Sequence, residues 1–446
     1  MAEPSAAEAV PSAAAPSDYD LTNKVGSFLD RHMILPLLDF LLSKDLYPSD
    51  ELDRAKVEVI SSTNMLDLAM DIYKALHSTS EVPPAMTKRR EEVLGTMQSI
   101  SEEVKPILAL VNDQGRVTEL RQEKLFTQAF LQEQHGITPQ HVQSLNRYAK
   151  LMYDCGDYDT ASNLLVHFRL LSTNPDDVFS AQWGKLSCEI LMTNWDQALE
   201  DINTLKELIE SRPNTPAVMQ LQQRAWLMHW SLFLLGNHPN GRYVFADLCF
   251  QERYLNCIQT TCPHLLRYLA VAIITNPRRR GLLKELVRVI CMECHSFSDP
   301  ITSFIQDLYQ RCDFESAQHK LEECARVIDN DFFLCNSEQD FLKHARLHIF
   351  ENYCRIHERI DLRMLAQKLH MEDIAAEKWI VKMVSDAQLN AKIDSQSGHV
   401  IIGVQPPDVY QQVIEKTKGL SFRSYVLANN VEKRAKQKRA VENAAA

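Results

Sequence analysis

The sharpest chemical spelling in the chain is Cys291-Met292-Glu293-Cys294-His295. Two thiols and an imidazole at CxxCH spacing match covalent haem attachment, and they also make part of a metal site. Haem attachment needs an exported, oxidising route, which nothing in the sequence supplies. As a zinc site the run offers at most three ligands, whereas a structural site closes a tetrahedron of four. Cys257, Cys262 and His264 could in principle complete it, but the intervening run is longer than in common zinc ribbons. The spacing instead predicts a helix with Leu283, Val287, Ile290 and Cys294 on its buried face, which makes Cys294 a small core residue. His370 and His399 stand alone, and carboxylates such as Asp71 and Glu189 have no evident partner. No GxxxxGK[ST], GxSxG, HExxH or GxGxxG occurs. The reading is no catalytic residue, no cofactor and no metal: a protein that is not an enzyme.

The elements that would carry these side chains are helical. Twelve glycines in 446 residues is under half the usual share of about 7%. Sheets, tight hairpins and phosphate-cradling loops all consume glycine, so their scarcity predicts a mainly α chain. Net charge is −11, from 48 basic and 59 acidic residues, which argues against whole-molecule affinity for nucleic acid. Eleven cysteines without framework spacing indicate a reducing compartment. The first eighteen residues are rich in Ala, Pro and Ser and lack Lys and Arg, unlike a secretory or mitochondrial leader. The most apolar run, Trp226 to Leu235, is interrupted by His229 and Ser231 and is too short to span a bilayer. These features predict a cytoplasmic protein, with a nuclear pool not excluded.

Residues 1–18 read as a disordered extension and 19–140 as an N-terminal helical region. Phe28, Leu29, His32 and Leu35 lead into Leu37, Leu38, Leu41 and Leu42, with Pro36 expected to kink or restart the turn. Val93, Met97, Ile100, Val104, Ile107 and Val111 step as a heptad seam, in a bundle helix or a coiled coil. From 141 to 340 the chain echoes itself. Asp157-Tyr158-Asp159-Thr160-Ala161 returns as Asn194-Trp195-Asp196-Gln197-Ala198 and again as Asp313-Phe314-Glu315-Ser316-Ala317. A polar turn residue, an aromatic wedge and an alanine at a close helix contact is the logic of tetratricopeptide-like helical pairs stacked into a solenoid. Gln222 to Gly236 and Leu265 to Thr275 continue the stack as strongly apolar helices.

Residues 341–403 read as a winged helix. A helix with Phe341, Ala345, Ile349 and Ile356 at helical spacing is followed by a short extended link, Arg359-Ile360-Asp361. Helices with Leu362, Leu365, Ala366 and Leu369, then with Ile374, Trp379, Ile380, Met383 and Val384, come next. The period then drops to two, with strands Ala391-Lys392-Ile393-Asp394 and His399-Val400-Ile401-Ile402 around the turn Ser395 to Gly398. A DNA reader would line the recognition helix with cations. Between Asp361 and Asn390, Arg363, Lys368, Lys378 and Lys382 meet Asp361, Glu372, Asp373, Glu377 and Asp386, four against five. The charge favours a packing module. Its outer strand, Val400 to Ile402, is expected at an apolar edge that another chain's sheet can continue.

Residues 404–446 read as a C-terminal helix and basic tail. Tyr410, Val413, Thr417, Leu420, Ser424, Leu427 and Val431 step three and four apart, a seam with nothing in its own chain to pack on. Gly419 weakens that helix by about 1 kcal/mol relative to Ala. The tail holds Lys433, Arg434, Lys436, Lys438 and Arg439 against Glu432 alone. That run suits a solvated helix end or a contact with RNA or an acidic protein.

Helical repeats running into a winged helix resemble the PCI-domain family, the scaffold module of the proteasome lid, the COP9 signalosome and eukaryotic translation initiation factor 3. Met364 to Leu369, Glu377 to Val381, Ala391 to Asp394 and Gly398 to Val400 are similar to the PCI signature. Longer blocks resemble the E subunits of the initiation factor: Phe28-Leu29-Asp30-Arg31-His32 with Pro36-Leu37-Leu38, Trp183 to Leu186, Glu189 to Met192, Asn194 to Asp196, Trp230 to Phe233 and Tyr410 to Lys418. The fold implied is mainly α: a right-handed helical-repeat solenoid ending in a winged-helix PCI domain, then a long C-terminal helix. The function implied is a non-catalytic subunit that contacts subunits C, D and L on the small ribosomal subunit. The partner residues expected are Lys392, Ile393, Asp394, His399, Val400, Ile401 and Ile402 on the wing. On the last helix they are Tyr410, Val413, Thr417, Leu420 and Leu427. The alternatives are another PCI assembly or a nucleic-acid-binding regulator.

Overall fold

The computed structural model describes residues 19–77, 82–111, 128–212, 215–276, 281–357, 359–361, 378, 380–382, 385, 391–394, 399–402 and 409–445. The chain divides into two compact units, Met1–Arg346 and Leu347–Ala446. In chain order the first holds helices α1 (Thr22–Gly26), α2 (Arg31–Ser43), α3 (Ser49–Ser61), α4 (Leu66–His77), α5 (Pro84–Val111) and α6 (Gln128–His135). Next come α7 (Pro139–Cys155), α8 (Tyr158–Leu171), α9 (Pro175–Leu191), α10 (Trp195–Glu210), α11 (Ala217–Asn237) and α12 (Gly241–Cys249). They are followed by α13 (Glu252–Thr260), α14 (Leu265–Ile274), α15 (Leu283–Glu293), α16 (Pro300–Gln306) and α17 (Phe314–Asp329). Helix α18 (Glu338–Ile356) contains the boundary between the units. The second unit adds β1 (Arg359–Asp361), β2 (Ala391–Asp394), β3 (His399–Ile402) and α19 (Val409–Ala445).

The echoed motifs do the same mechanical job three times. A residue at positive φ turns the chain: Gly156 at 92°, Thr193 at 61° and Cys312 at 55°. The next residue, Asp157, Asn194 or Asp313, is the N-cap of α8, α10 or α17. Asp157 Oδ1 accepts from the Thr160 amide at 3.2 Å, and Asp313 Oδ1 accepts from the Glu315 and Ser316 amides, both at 3.1 Å. The aromatic residue opens the helix, and Ala161, Ala198 and Ala317 are wholly buried. The result is the stack of helical pairs that the repeats predict.

The seam on α5 belongs to a bundle helix. Val104, Ile107 and Leu110 are buried and share a core with Val142, Leu145, Met152, Leu164 and Phe168 of α7 and α8. Helix α2 continues through Pro36, so the turn does not restart there; Asp30, its N-cap, accepts from the His32 amide. Every residue of α14 is buried. At Gly241, which opens α12, a Cβ would fall 1.8 Å from the Leu234 carbonyl oxygen, so only glycine lets α11 and α12 approach. In α18 the buried residues are Phe341 and Ala345, then Leu347, His348 and Phe350 through Cys354. Ile349 is half-buried and Ile356 is exposed, contrary to the expected stripe, because burial in mid-helix extends round more than one face.

The N-terminal block Phe28 to His32 is a strap across the stack. The Phe28 ring lies 4.1 Å from His229 at 10° and its carbonyl accepts from Trp230 Nε1 at 3.1 Å. Asp30 Oδ2 accepts from the Tyr153 hydroxyl at 2.5 Å, Arg31 donates to the Ser62 carbonyl, and His32 Nδ1 meets the Tyr158 hydroxyl at 3.0 Å. Beneath Phe28, His229 Nδ1 stands 2.6 Å from the Ala225 carbonyl and must carry the proton. Its Nε2 therefore accepts from His264 Nε2–H at 2.8 Å. The arrangement needs one proton between the two Nε2 atoms, which two neutral imidazoles supply and two charged ones do not allow.

Burial pushes His229 down to about 4, and burial with the nearby charges of His229, Lys24 and Arg267 pushes His264 down to about 3. A histidine depressed in the folded state stabilises the fold above its unfolded value of about 6.5. That contribution is lost as pH falls from there towards the folded value, because the unfolded chain takes up the proton first. Stability should therefore drop below pH 6.5 by up to about 1.4 kcal/mol per pH unit for each ring. Urea midpoints between about pH 7.5 and 5 read this, and His264→Phe should flatten the slope. An unchanged slope in that variant would remove the pair from the account.

Candidate interaction surface

The second unit carries a three-stranded antiparallel sheet in the order β1-β3-β2. Val400 pairs with Ile360 on one side and Ile393 on the other; Ile401 pairs with Arg359 and Lys392, and His399 with Asp361 and Asp394. The segment read as an extended link is thus a strand. This corrects the edge assignment: β3 lies in the centre, with His399 to Ile401 paired on both sides and Ile402 on the β2 side alone. The edges are Arg359–Asp361 and Ala391–Asp394. Val400 is wholly buried, so a charge placed there would disrupt the sheet itself. The helix over Leu362 to Leu369, the wing turn Ser395 to Gly398, and His370 lie outside the described residues. Of the third helix, Ile380 is helical and buried while Val381 is half exposed.

Helix α19 is 37 residues long. Tyr410 is 75% exposed, Leu420 62% and Leu427 64%, and Val413, Thr417, Ser424 and Val431 are exposed too. The seam read from the sequence is present and uncovered. Thr417 Oγ1 donates back to the Val413 carbonyl at 2.6 Å, satisfying its hydroxyl within the helix. Sequence spacing missed a second apolar patch. Phe422, Tyr425 and Val426 are also exposed, offset from the seam by roughly 110–170° at 3.6 residues per turn. An isolated helix with two bare apolar faces has its stabilising contacts elsewhere.

The chemistry-bearing residues resolve into structure. Leu283, Leu286, Val289 and Ile290 are the buried face of α15, with Val287 and Cys294 only half-buried, a correction of one helical step. Cys291 Sγ donates to Gln310 and His295 is exposed, so the three CxxCH side chains do not converge. His264 is occupied by His229. Among the described residues no group of three or more His, Cys, Asp or Glu is placed to hold a metal ion. Asp71 is exposed and 3.8 Å from Lys74. Glu189 has partners after all: it is buried, and it accepts from Ser162 Oγ at 2.7 Å and Asn194 Nδ2 at 2.9 Å, pinning α9 to α8 and to the start of α10. Lys185 donates to both Asp201 oxygens at 2.9 Å, and at Gly184 a Cβ would come 3.2 Å from Leu165. Lys185 to Ile190 are buried, and the bonds of Lys185 and Glu189 are interior pins, not a site. No described helix is long and apolar enough to cross a membrane.

Three family models match the chain. The "eIF3 subunit 6 N terminal domain" covers residues 20–152 and the "PCI domain" 321–403. The C-terminal region of the E subunit of eukaryotic translation initiation factor 3 covers 409–428. None of them names an enzyme. The chain is 44% identical over 425 residues to the E subunit of eukaryotic translation initiation factor 3 from Arabidopsis thaliana, spanning 93% of this chain and 96% of that one. The Aspergillus oryzae protein of the same name is 45% identical, with 94% of each chain covered. That of Drosophila melanogaster is 42% identical over 96% of this chain and 98% of its own. Matches of this extent, on a helical-repeat stack followed by a PCI sheet and an exposed terminal helix, show that the chain belongs to the family of E subunits of eukaryotic translation initiation factor 3.

Proposed function

We propose that the chain is a non-catalytic scaffold subunit of eukaryotic translation initiation factor 3, which helps assemble the pre-initiation complex on the small ribosomal subunit and recruit mRNA. The observation that carries this reading is α19: two apolar faces exposed over Tyr410 to Val431, with no cover among the described residues. Helices of other subunits fit those faces, with subunits C, D and L as the expected neighbours. The edge strand β2, unpaired on its outer side among the described residues, adds a strand-pairing contact over Lys392 to Asp394. The partners place the protein in the cytoplasm, and a nuclear pool is compatible with them. The test is affinity purification of the tagged full chain, with identification of what co-purifies. Initiation factor subunits and small-subunit ribosomal proteins are expected. Recovery of proteasome-lid or signalosome subunits, or of the chain alone, would overturn the proposal.

A further inference from the structure

We infer that the last turns of α19, from Lys433 to Arg439, bind the phosphate backbone of single-stranded RNA. Whereas the chain as a whole carries −11, α19 is basic. It holds Lys416, Lys418, Arg423, Lys433, Arg434, Lys436, Lys438 and Arg439 against Glu415, Glu432 and Glu442, eight minus three. Five of those cations fall within seven residues. Of the two acids that flank them, Glu432 is held by Lys436 at 2.7 Å and Glu442 lies one turn beyond Lys438; Lys433, Arg434 and Lys436 are exposed.

The distribution of charge selects the partner. At about 100° per residue, positions 433, 434, 436, 438 and 439 fall on all sides of the helix axis. A helical acidic protein would read a stripe, with apolar positions beside it, as Tyr410 to Val431 provide. Cations on every side serve a flexible polyanion that wraps, because phosphate neutralisation is not directional. The apolar seam stops at Val431 and the match to the family's C-terminal region stops at residue 428, so this segment is separate from the helix-docking surface. The inference deepens the RNA side of the proposed function. Its failure is distinguishable from that of the scaffold role because assembly and RNA affinity are read separately.

The experiment titrates the full chain into a fluorescein-labelled oligouridylate of about twenty nucleotides, by anisotropy, between about 50 and 200 mM salt. Five contacts on a single strand predict a log–log salt slope near −3.5. The variant K433Q/R434Q/K436Q/K438Q/R439Q should lose at least about tenfold in affinity at low salt and about three in slope, while still entering subunit assemblies in competition. Deletion of residues 433–446 should do the same, and K416Q/K418Q/R423Q should leave most of the slope in place. An unchanged slope in the fivefold variant, or equal loss in the threefold one, overturns the assignment. Polyglutamate of similar length binding as tightly as the RNA would also overturn it, in favour of an acidic protein.

Discussion

Replacing Arg267 with alanine is expected to lower the unfolding free energy by about 3–5 kcal/mol, the range for breaking a buried ion pair. Its side chain is 2% exposed and all three nitrogens of the guanidinium donate. Nε and Nη2 donate to Asp299 at 3.1 and 2.6 Å, Nη1 donates to Asp331 at 3.1 Å, and Nη2 also reaches the Tyr19 carbonyl at 2.6 Å. Tyr268 completes the network by donating to Asp331 at 3.0 Å. Removing the cation strands two buried carboxylates, and that exposure of charge to an apolar interior is the main cost. Small-domain stabilities run about 5–15 kcal/mol, so the loss would be a large part of the total. Urea denaturation measures it, and Asp299→Asn with Asp331→Asn on the alanine background should recover part of it. A loss below about 1 kcal/mol would mean that the network is offset by its own desolvation.

The second large effect concerns assembly. Leu420→Asp with Leu427→Asp should leave helicity and the unfolding midpoint of the free chain unchanged, because both side chains are exposed. Entry into subunit assemblies should fall by about a hundredfold or more, as anchors at a docked helix are worth about 2 kcal/mol or more each. A competition assay between tagged wild-type and variant chains reads the difference. Deleting residues after Pro407 should act in the same direction. Full incorporation of either would mean that α19 is not the docking element. Phe422→Asp tests the second patch by the same assay.

What could be read in advance was what is local. The turn, aromatic and alanine pattern at Tyr158, Trp195 and Phe314 is complete within five residues, and each copy folds as its spelling indicates. The seam of α19 is local in the same sense. What escaped depends on distant partners. Glu189 looked unattended because Ser162 lies 27 positions away, and its nearer partner, Asn194, reaches it only once the turn at Thr193 has folded. The His229–His264 bond spans 35 positions, and neither residue carries a local signal. Arg359 to Asp361 is too short to show alternation, and only pairing with β3 makes it a strand. Once it pairs, the strand expected at the edge becomes central. On α15, Val287 and Val289 are equally apolar; which one faces inward is set by neighbouring helices and not by spacing.

The N-terminal segment, strap included, also fixes an order of events during synthesis. Tyr19 waits 248 positions for Arg267, Phe28 waits 202 for Trp230, and Lys44 waits 285 for Asp329. At roughly 5–20 residues per second, Tyr19 stands unlatched for about 12–50 s after leaving the peptidyl transferase centre. During that interval Met33, Leu37 and Leu41, later buried, have only early-made helices to lean on. The nascent chain is thus most exposed to chaperones and proteases at its beginning, and the first helices to emerge are among the last to be locked.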